Sequence, residues 1–305
     1  MTLEQLRIFI AVAESQHVTR AAETLRLTQS AVSAAIGALE RRYGVALFDR
    51  VGRRIELNAE GRLFLNEARA VLARAAAAEL ALSELSGLKR GTLSVHASQT
   101  ISSYWLPPRL VAFRRAYPLI EVKLAVGNTA QTAKAVLDGT AELGFVEGHV
   151  DDPALEQSVV GRDQLVVVAA PDHPWTRKKR LTDADIAESE WVLREPGSGT
   201  RSEFEAALIG KGMSPDALKV VLELPNNEAV RAAVQAGCGA TAISELVVEA
   251  PLRAGMLVAM EYELPARSYL VARHRERYQS KAAQEFLKIV AKFTEPRSAV
   301  RASQQ

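Results

Sequence analysis

The chain lacks the features that mark several protein classes. Only one of its 305 residues is cysteine, Cys238. No disulfide can therefore close within it, and a cysteine-based zinc site is excluded. The histidines, His17, His96, His149, His173 and His274, are scattered without metal-ligand spacing, so no metal site is expected. No apolar run reaches about 18 residues, which predicts no membrane span. The opening MTLEQLRIFIAVAESQH has no basic stretch, and Leu3, Leu6, Phe9, Ile10 and Ala13 fall at helical spacing. It reads as an amphipathic helix rather than a signal peptide, so the expected compartment is the cytoplasm. The phosphate-loop pattern G-x-x-x-x-G-K-[ST] is absent despite a PGSGT stretch. Cys238 lies between two glycines with no base in sight. No catalytic residue and no cofactor are expected. One sign of charge is also missing, since the formal net charge is only +2. Net charge does not announce nucleic acid, but Arg41, Arg42, Arg50, Arg53 and Arg54 crowd one short segment.

That segment closes a legible pattern. Residues 3–15 and 19–25 read as helices. Thr28 is placed to cap a third over 29–43, which Gly44 ends. Val32, Ile36 and Leu39 share the core face of this third helix. Ser30, Ser33, Ala34 and Gly37 lie on the opposite side. Leu47–Phe48 and Ile55–Leu57 can pair as a hairpin around residues 51–53. Two short helices with a tight turn, followed by a basic hairpin, form a winged helix-turn-helix plan for double-stranded DNA. Small side chains let the helix enter the major groove. Thr28, Gln29, Ser30 and Ser33 can reach base edges or phosphates there, and Arg50, Arg53 and Arg54 can hold the backbone.

Residues 58–88 read as one long helix. Phe64, Ala68, Val71, Ala75, Ala78, Leu82 and Leu85 make an a/d seam suited to a second copy of the chain. Glycines 87 and 91 then mark a hinge. Beyond it, apolar strand-like runs alternate with amphipathic helices: TLSVHAS, a helix over 104–117, EVKLAVG, a helix over 130–137, AELGFVEG, DQLVVVAA, EWVLRE, a helix over 201–209, VVLEL, a helix over 228–236, and ATAIS. This is an α/β domain large enough for two lobes.

The motifs AA-x-x-L, S-x-x-I-x-x-LE, G-V-x-LF-x-R and N-A-E-G all fall within the first 65 residues. In this they resemble the LysR-type transcriptional regulators. Ser30, where the family often has proline, and Tyr43, where leucine is usual, depart from the pattern. The resemblance covers the whole chain and implies several properties. The reader domain spans residues 1–58, and a linker and dimerisation helix spans 59–89. A type II periplasmic-binding-protein-like sensor follows, with one lobe at 91–161 plus 268–305 and the other at 162–267. Crossovers would lie near Gly161–Arg162 and Arg267–Ser268. The resemblance also implies a homodimer or homotetramer, RNA polymerase as a partner, and a small-molecule effector. Ser98–Gln99–Thr100, Gly127–Asn128–Thr129, Val146–Glu147–Gly148 and Pro196–Gly197–Ser198–Gly199–Thr200–Arg201 resemble the effector pocket of a subgroup with sulfite-responsive and carbon-fixation regulators. Asn226–Asn227–Glu228 is expected to face the same cleft.

The residues themselves point the same way. Thr100, Thr129, Thr200 and Asn227 each stand where a strand feeds a helix. Open N–H groups there suit an anion, and strand ends form the crevice of an α/β sheet. Thr200 and Glu203 fit a capping box. Glu147 runs against an anion, because a carboxylate repels it. It would face a protonated or hydroxyl group of the ligand, or lie to one side. A sulfite-like oxyanion is the first expectation and an organic or phosphorylated acid the second. An enzyme or a solute-binding protein could use the same fold. The attached DNA-reading segment argues against both.

Overall fold

In a computed structural model, residues 1–51, 54–85 and 91–294 are described. Contacts divide the chain into two compact units, Met1–Leu88 with Leu137–Thr140, and Lys89–Val136 with Ala141–Gln305.

The first unit opens with helices α1 (Leu3–Ser15), α2 (Val18–Leu25) and α3 (Gln29–Tyr43). Thr2 and Gln5 form a capping box at the start of α1. Gln16 and Arg26 close α1 and α2 in the left-handed conformation. As the spacing predicts, Thr28 Oγ1 accepts from the Ala31 N–H, and Gly44 ends α3 at φ 66°. Val32 and Leu39 are buried. Strands β1 (Phe48–Val51) and β2 (Arg54–Leu57) pair antiparallel, with Phe48 opposite Leu57 and Arg50 opposite Ile55. Two motif residues have a visible local task. Glu40 Oε1 accepts from the Leu47 N–H at 2.8 Å. Asn58 donates to Ala46 O at 2.9 Å and accepts from the Gly61 N–H at 2.7 Å. A Cβ on Gly61 would overlap the Leu47 carbonyl.

Helix α4 (Ala59–Leu85) fills most of the span expected over 58–88, the last three residues of which lie outside the described ones, but its seam is divided. Phe64 and Ala68 pack with Leu65 and Leu72 against Leu6 and Phe9 of α1, so this part is buried within the chain. Ala75 is half-buried and Ala78 exposed. Val71 is 41% exposed and Leu82 69% exposed. The side chain of Leu85 lies outside the described residues.

The second unit is built on a sheet with strand order β4-β3-β5-β11-β6-β9-β7-β8, with β10 paired to β6. These are β3 (Gly91–Ser98), β4 (Ile120–Gly127), β5 (Leu143–Glu147), β6 (Leu155–Ala169), β7 (Glu190–Arg194), β8 (Lys219–Leu224), β9 (Ala240–Ser244), β10 (Val258–Met260) and β11 (Ala266–His274). The helices are α5 (Pro107–Ala116), α6 (Thr129–Asp138), α7 (Asp183–Glu188), α8 (Gly199–Gly210), α9 (Asn227–Gln235), α10 (Glu245–Arg253) and α11 (Lys281–Thr294). The helix expected over 104–117 is split. Ile101–Trp105 forms a π turn, and α5 begins only at Pro107, because proline fits a first turn but not a helix interior.

β6 and β11 are long enough to serve both halves of the sheet. They pair antiparallel from Leu155↔His274 to Gln164↔Ala266. On one side β3, β4 and β5 surround a core that includes Leu93, Trp105, Phe113, Phe145 and Phe286. On the other side the strands are covered on both faces. Leu165, Val167, Trp191 and Leu193 join Phe204 and Leu208 on one face. Val168, Val192 and Ile243 join Val230, Val234 and Val248 on the other. Burial on both faces is why the run from Leu165 to Ala170 is continuously apolar rather than alternating.

Candidate functional site

Two surfaces gather the sequence-predicted residues. The first is the outer face of α3. Thr28, Gln29, Ser30, Ser33 and Ala34 are exposed there, opposite buried Val32 and Leu39. The Thr28 hydroxyl is committed to its cap and stands 3.1 Å from Ser30 Oγ. Gly37 is half-buried. The Arg41 guanidinium lies over it, with Nη1 2.9 Å from where a Cβ would stand. Part of the small-residue face is thus already covered by a basic group. Arg54 is exposed on β2. Arg53, and the side chain of Arg50, lie outside the described residues.

The second surface lies between the two halves of the sheet, where β3, β5, α6, α8 and α9 meet β6 and β11. Asn227 is wholly buried and is its most connected residue. Its N–H donates to Gln99 Oε1 at 2.7 Å. Its Nδ2 donates to Thr100 Oγ1 at 3.0 Å. Its Oδ1 accepts from Arg194 Nη1 at 2.7 Å. Gln99 Nε2 and the Tyr104 hydroxyl both donate to Glu228, at 3.1 and 3.2 Å. Asn128 Nδ2 donates to Glu195 Oε1 at 3.1 Å, and the Ala130 N–H to Gly197 O at 3.2 Å. Burial opposes ionisation of Glu195, yet hydrogen bonds from Arg194 and Asn128 hold its carboxyl below the usual range.

These bonds correct part of the sequence reading. At two of the helix starts the N–H donors are not left open for an anion. The Asn227 N–H is taken by Gln99, and the Ala130 N–H by Gly197. Asn226, not Asn227, caps α9, accepting from the Ala229 N–H. The Thr200–Glu203 capping box does not form. Ser198 is the N-cap of α8 and makes no side-chain cap bond, while the Thr200 hydroxyl accepts from Arg267 instead. Arg201 turns away: it pairs with Glu205 and Glu223 and donates to the Arg194 carbonyl.

The centre of the cleft holds an ion cluster that the sequence did not reveal. Arg267, 2% exposed, stands directly opposite Asp163 across the β6–β11 pair. Its Nε donates to Asp163 Oδ2 at 2.8 Å, and its Nη1 to Thr200 Oγ1 at 3.1 Å. Its Nη2 lies 2.6 Å from the same Asp163 oxygen but off the hydrogen-bonding angle, and makes no hydrogen bond. Ser244 Oγ donates to the other Asp163 oxygen at 2.8 Å. Glu147, also 2% exposed, has an oxygen 3.9 Å from Arg267 Nη2. Thr129 Oγ1 donates to the Glu147 carboxylate and carbonyl, each at 3.3 Å. Gly199 is placed by contact, since a Cβ there would stand 2.8 Å from the Glu147 carbonyl oxygen. Ser98 Oγ is buried and makes no hydrogen bond. Arg267 and Asp163 each open an apolar strand run, the only local trace of their role; their pairing needs the two distant strands to align.

Comparison with known proteins adds to this geometry. Residues 3–62 match the bacterial regulatory helix-turn-helix protein, LysR family, and residues 86–294 match the LysR substrate binding domain. The chain is 37% identical to the uncharacterized HTH-type transcriptional regulator YeiE of Escherichia coli K12 over 289 residues, covering 94% of this chain and 96% of that one. It is 32% identical to the RuBisCO operon transcriptional regulator of Allochromatium vinosum, covering 95% of each. These relatives are regulators, not enzymes. Among solved structures, CbnR, a LysR family transcriptional regulator, superposes with TM-score 0.70 at 23% identity over 97% of this chain and 100% of that one. The CcmR regulatory domain of Synechocystis PCC6803, in complex with 2-PG, superposes with TM-score 0.62 at 26% identity, covering 68% of this chain and 99% of that one.

Proposed function

The chain belongs to the LysR family of transcriptional regulators, and we propose that its sensor responds to a small anion held between the two lobes. The observation that carries this reading is Arg267, a buried guanidinium in the cleft that is ion-paired to Asp163 and bonded to Thr200 at the start of α8. Ser98 Oγ, buried and unbonded, is a second donor. A planar guanidinium suits carboxylate, phosphate and sulfur oxyanions. The relative solved with 2-PG supports an acid of this kind. A sulfite-like oxyanion is the first choice and an organic or phosphorylated acid the second.

Entry of the anion exchanges bonds that now bridge the lobes. An oxyanion at Asn227 displaces the Gln99 amide and takes a charge-assisted bond in its place. Ser198, Gly199 and Thr200 at the start of α8, with Asn128 and Thr129, line the same side. Binding that favours one lobe arrangement shifts a pre-existing equilibrium, and the regulator reads that shift. In the reader domain, Gln29, Ser30 and Ser33 meet base edges or phosphates, while Arg50, Arg53 and Arg54 hold the backbone. The open part of the α4 seam, together with an apolar groove of about 440 Å³ lined by Met1, Leu39, Tyr43, Leu47 and Leu63, favours a dimer.

The test is a calorimetric and thermal-shift screen of the full-length protein with sulfite, sulfate, thiosulfate, phosphate, 2-PG and small organic acids. Anions are expected to stabilise the wild type and to lose their effect in Ser98→Ala. If only neutral or cationic compounds stabilise the wild type, the anion reading is wrong.

A further inference from the structure

The cleft that holds Arg267 is overstocked with carboxylates. Glu147 ends β5 and is buried. Glu203 reaches toward it from α8, one turn beyond Thr200, which bonds Arg267. The approach of Glu203 is built into the backbone. Its Oε1 occupies the space that a Cβ on Gly148 would need, and Gly148 holds φ at 74°, where glycine is favoured. Glu147 and Asp163 thus share a single guanidinium, whose bonded carboxylate is Asp163. Glu203, beside Gly148, makes no ion pair among the described residues.

We propose that this sensor takes up its anion together with one proton, held on the Glu203 carboxyl. The inference rests on the anion reading of the cleft and adds how the charge is balanced. A half-buried carboxyl with no ion pair of its own is the group that must neutralise when a further negative charge arrives beside Glu147 and Asp163. Neutralising it removes a repulsion from the incoming anion. Burial already raises the Glu203 carboxyl above its ordinary range; Arg267 offsets this in part, and Glu147 adds to it. The charged groups facing Glu203 are Arg267 from β11 and Glu147 from β5, with Asp163 of β6 behind Arg267. On α8 itself, Arg201 and Glu205 are paired with each other. His149, next to Gly148, is exposed. Tyr269 on β11 is held neutral, since burial and then Asp163 push its ionisation far up.

The experiment uses the full-length protein and sulfate, which does not itself titrate near neutrality. Calorimetry from about pH 5.5 to about pH 8, in two buffers of different ionisation heat, counts protons per anion bound. Wild type is expected to take up close to one proton at the upper end. Its affinity should fall about tenfold per pH unit above the pKa of that carboxyl. Glu203→Gln is expected to bind sulfate with no proton uptake and a flat pH profile. Sulfate bound by wild type with no proton uptake overturns the proposal, as does full uptake in Glu203→Gln. Should that variant fail to fold, the wild-type count decides alone. If sulfate binds at no pH, the anion reading is what fails, and thermal unfolding without added anion then tests the Glu203 carboxyl. A carboxyl raised in the folded state stabilises below its unfolded pKa, and the benefit is lost as pH rises through the folded one. Wild type should therefore lose melting temperature relative to Glu203→Gln between about pH 5 and about pH 7. A constant difference would refute a raised Glu203 carboxyl.

Discussion

Replacing Arg267 with methionine tests the central cluster most directly. Methionine has a similar apolar stem but no charge, so it isolates the guanidinium. In the wild type, Asp163 takes hydrogen bonds from Arg267 and Ser244 and is almost wholly buried. Without the arginine, Asp163 keeps only Ser244, and Glu147 loses its nearest cation at 3.9 Å. Removing one partner of a buried ion pair costs about 3–5 kcal/mol, because the remaining charge is stranded. The upper half of that range fits here, since two buried acids are affected. In a domain of this size it corresponds to a fall in melting temperature of about 10 °C. The assay is urea or thermal unfolding followed by tryptophan fluorescence. Trp105, Trp175 and Trp191 are all in the second unit, so the signal reports that unit alone. A loss below about 1 kcal/mol at neutral pH would mean that the cluster is solvated, and the argument for Arg267 as a buried anchor would fall.

Three further outcomes are expected. Val71→Asp with Leu82→Asp places charges at positions that are 41% and 69% exposed in the single chain. The chain should fold normally but sediment as a monomer and lose specific DNA binding; an unchanged oligomer would remove the open seam from the interface. Arg54→Ala should weaken binding to all DNA sequences and flatten the dependence of log affinity on log salt by about one unit. A changed base preference with an unchanged salt slope would instead place Arg54 at a base. Gly199→Ala puts a methyl 2.5 Å from Thr129 Oγ1 and 2.8 Å from the Glu147 carbonyl oxygen. It should prop the lobes apart, abolishing the response to effector while leaving DNA binding intact. A full effector response in that variant would show that the close approach of α8 to β5 is dispensable.

The amino-acid sequence by itself determined the elements whose causes are local. Thr28, Gly44 and the apolar spacing of Val32 and Leu39 bound and orient α3, because caps and periodicity act within a few residues. The apolar run through Val168 announced a strand, and the fold buried it on both faces. Family resemblance brought Gln99, Thr100, Asn128, Thr129, Glu147 and Asn227 to one cleft, and they meet there. What those side chains do was decided by the tertiary structure. Each helix-start donor could bond a ligand or the opposite lobe, and only folding showed that Gln99 answers Asn227 and Gly197 answers Ala130. Arg201 looked like the cationic residue of the site, yet Glu205, one turn away on its own helix, and Glu223 on the adjoining strand draw it off. The seam of α4 read as uniform, but α1 covers its first part, because apolar spacing does not say which neighbour will bury it. Arg267 and Asp163 stand 104 positions apart in sequence. Their pairing depends on the register of β6 against β11, a long-range alignment that no local pattern encodes.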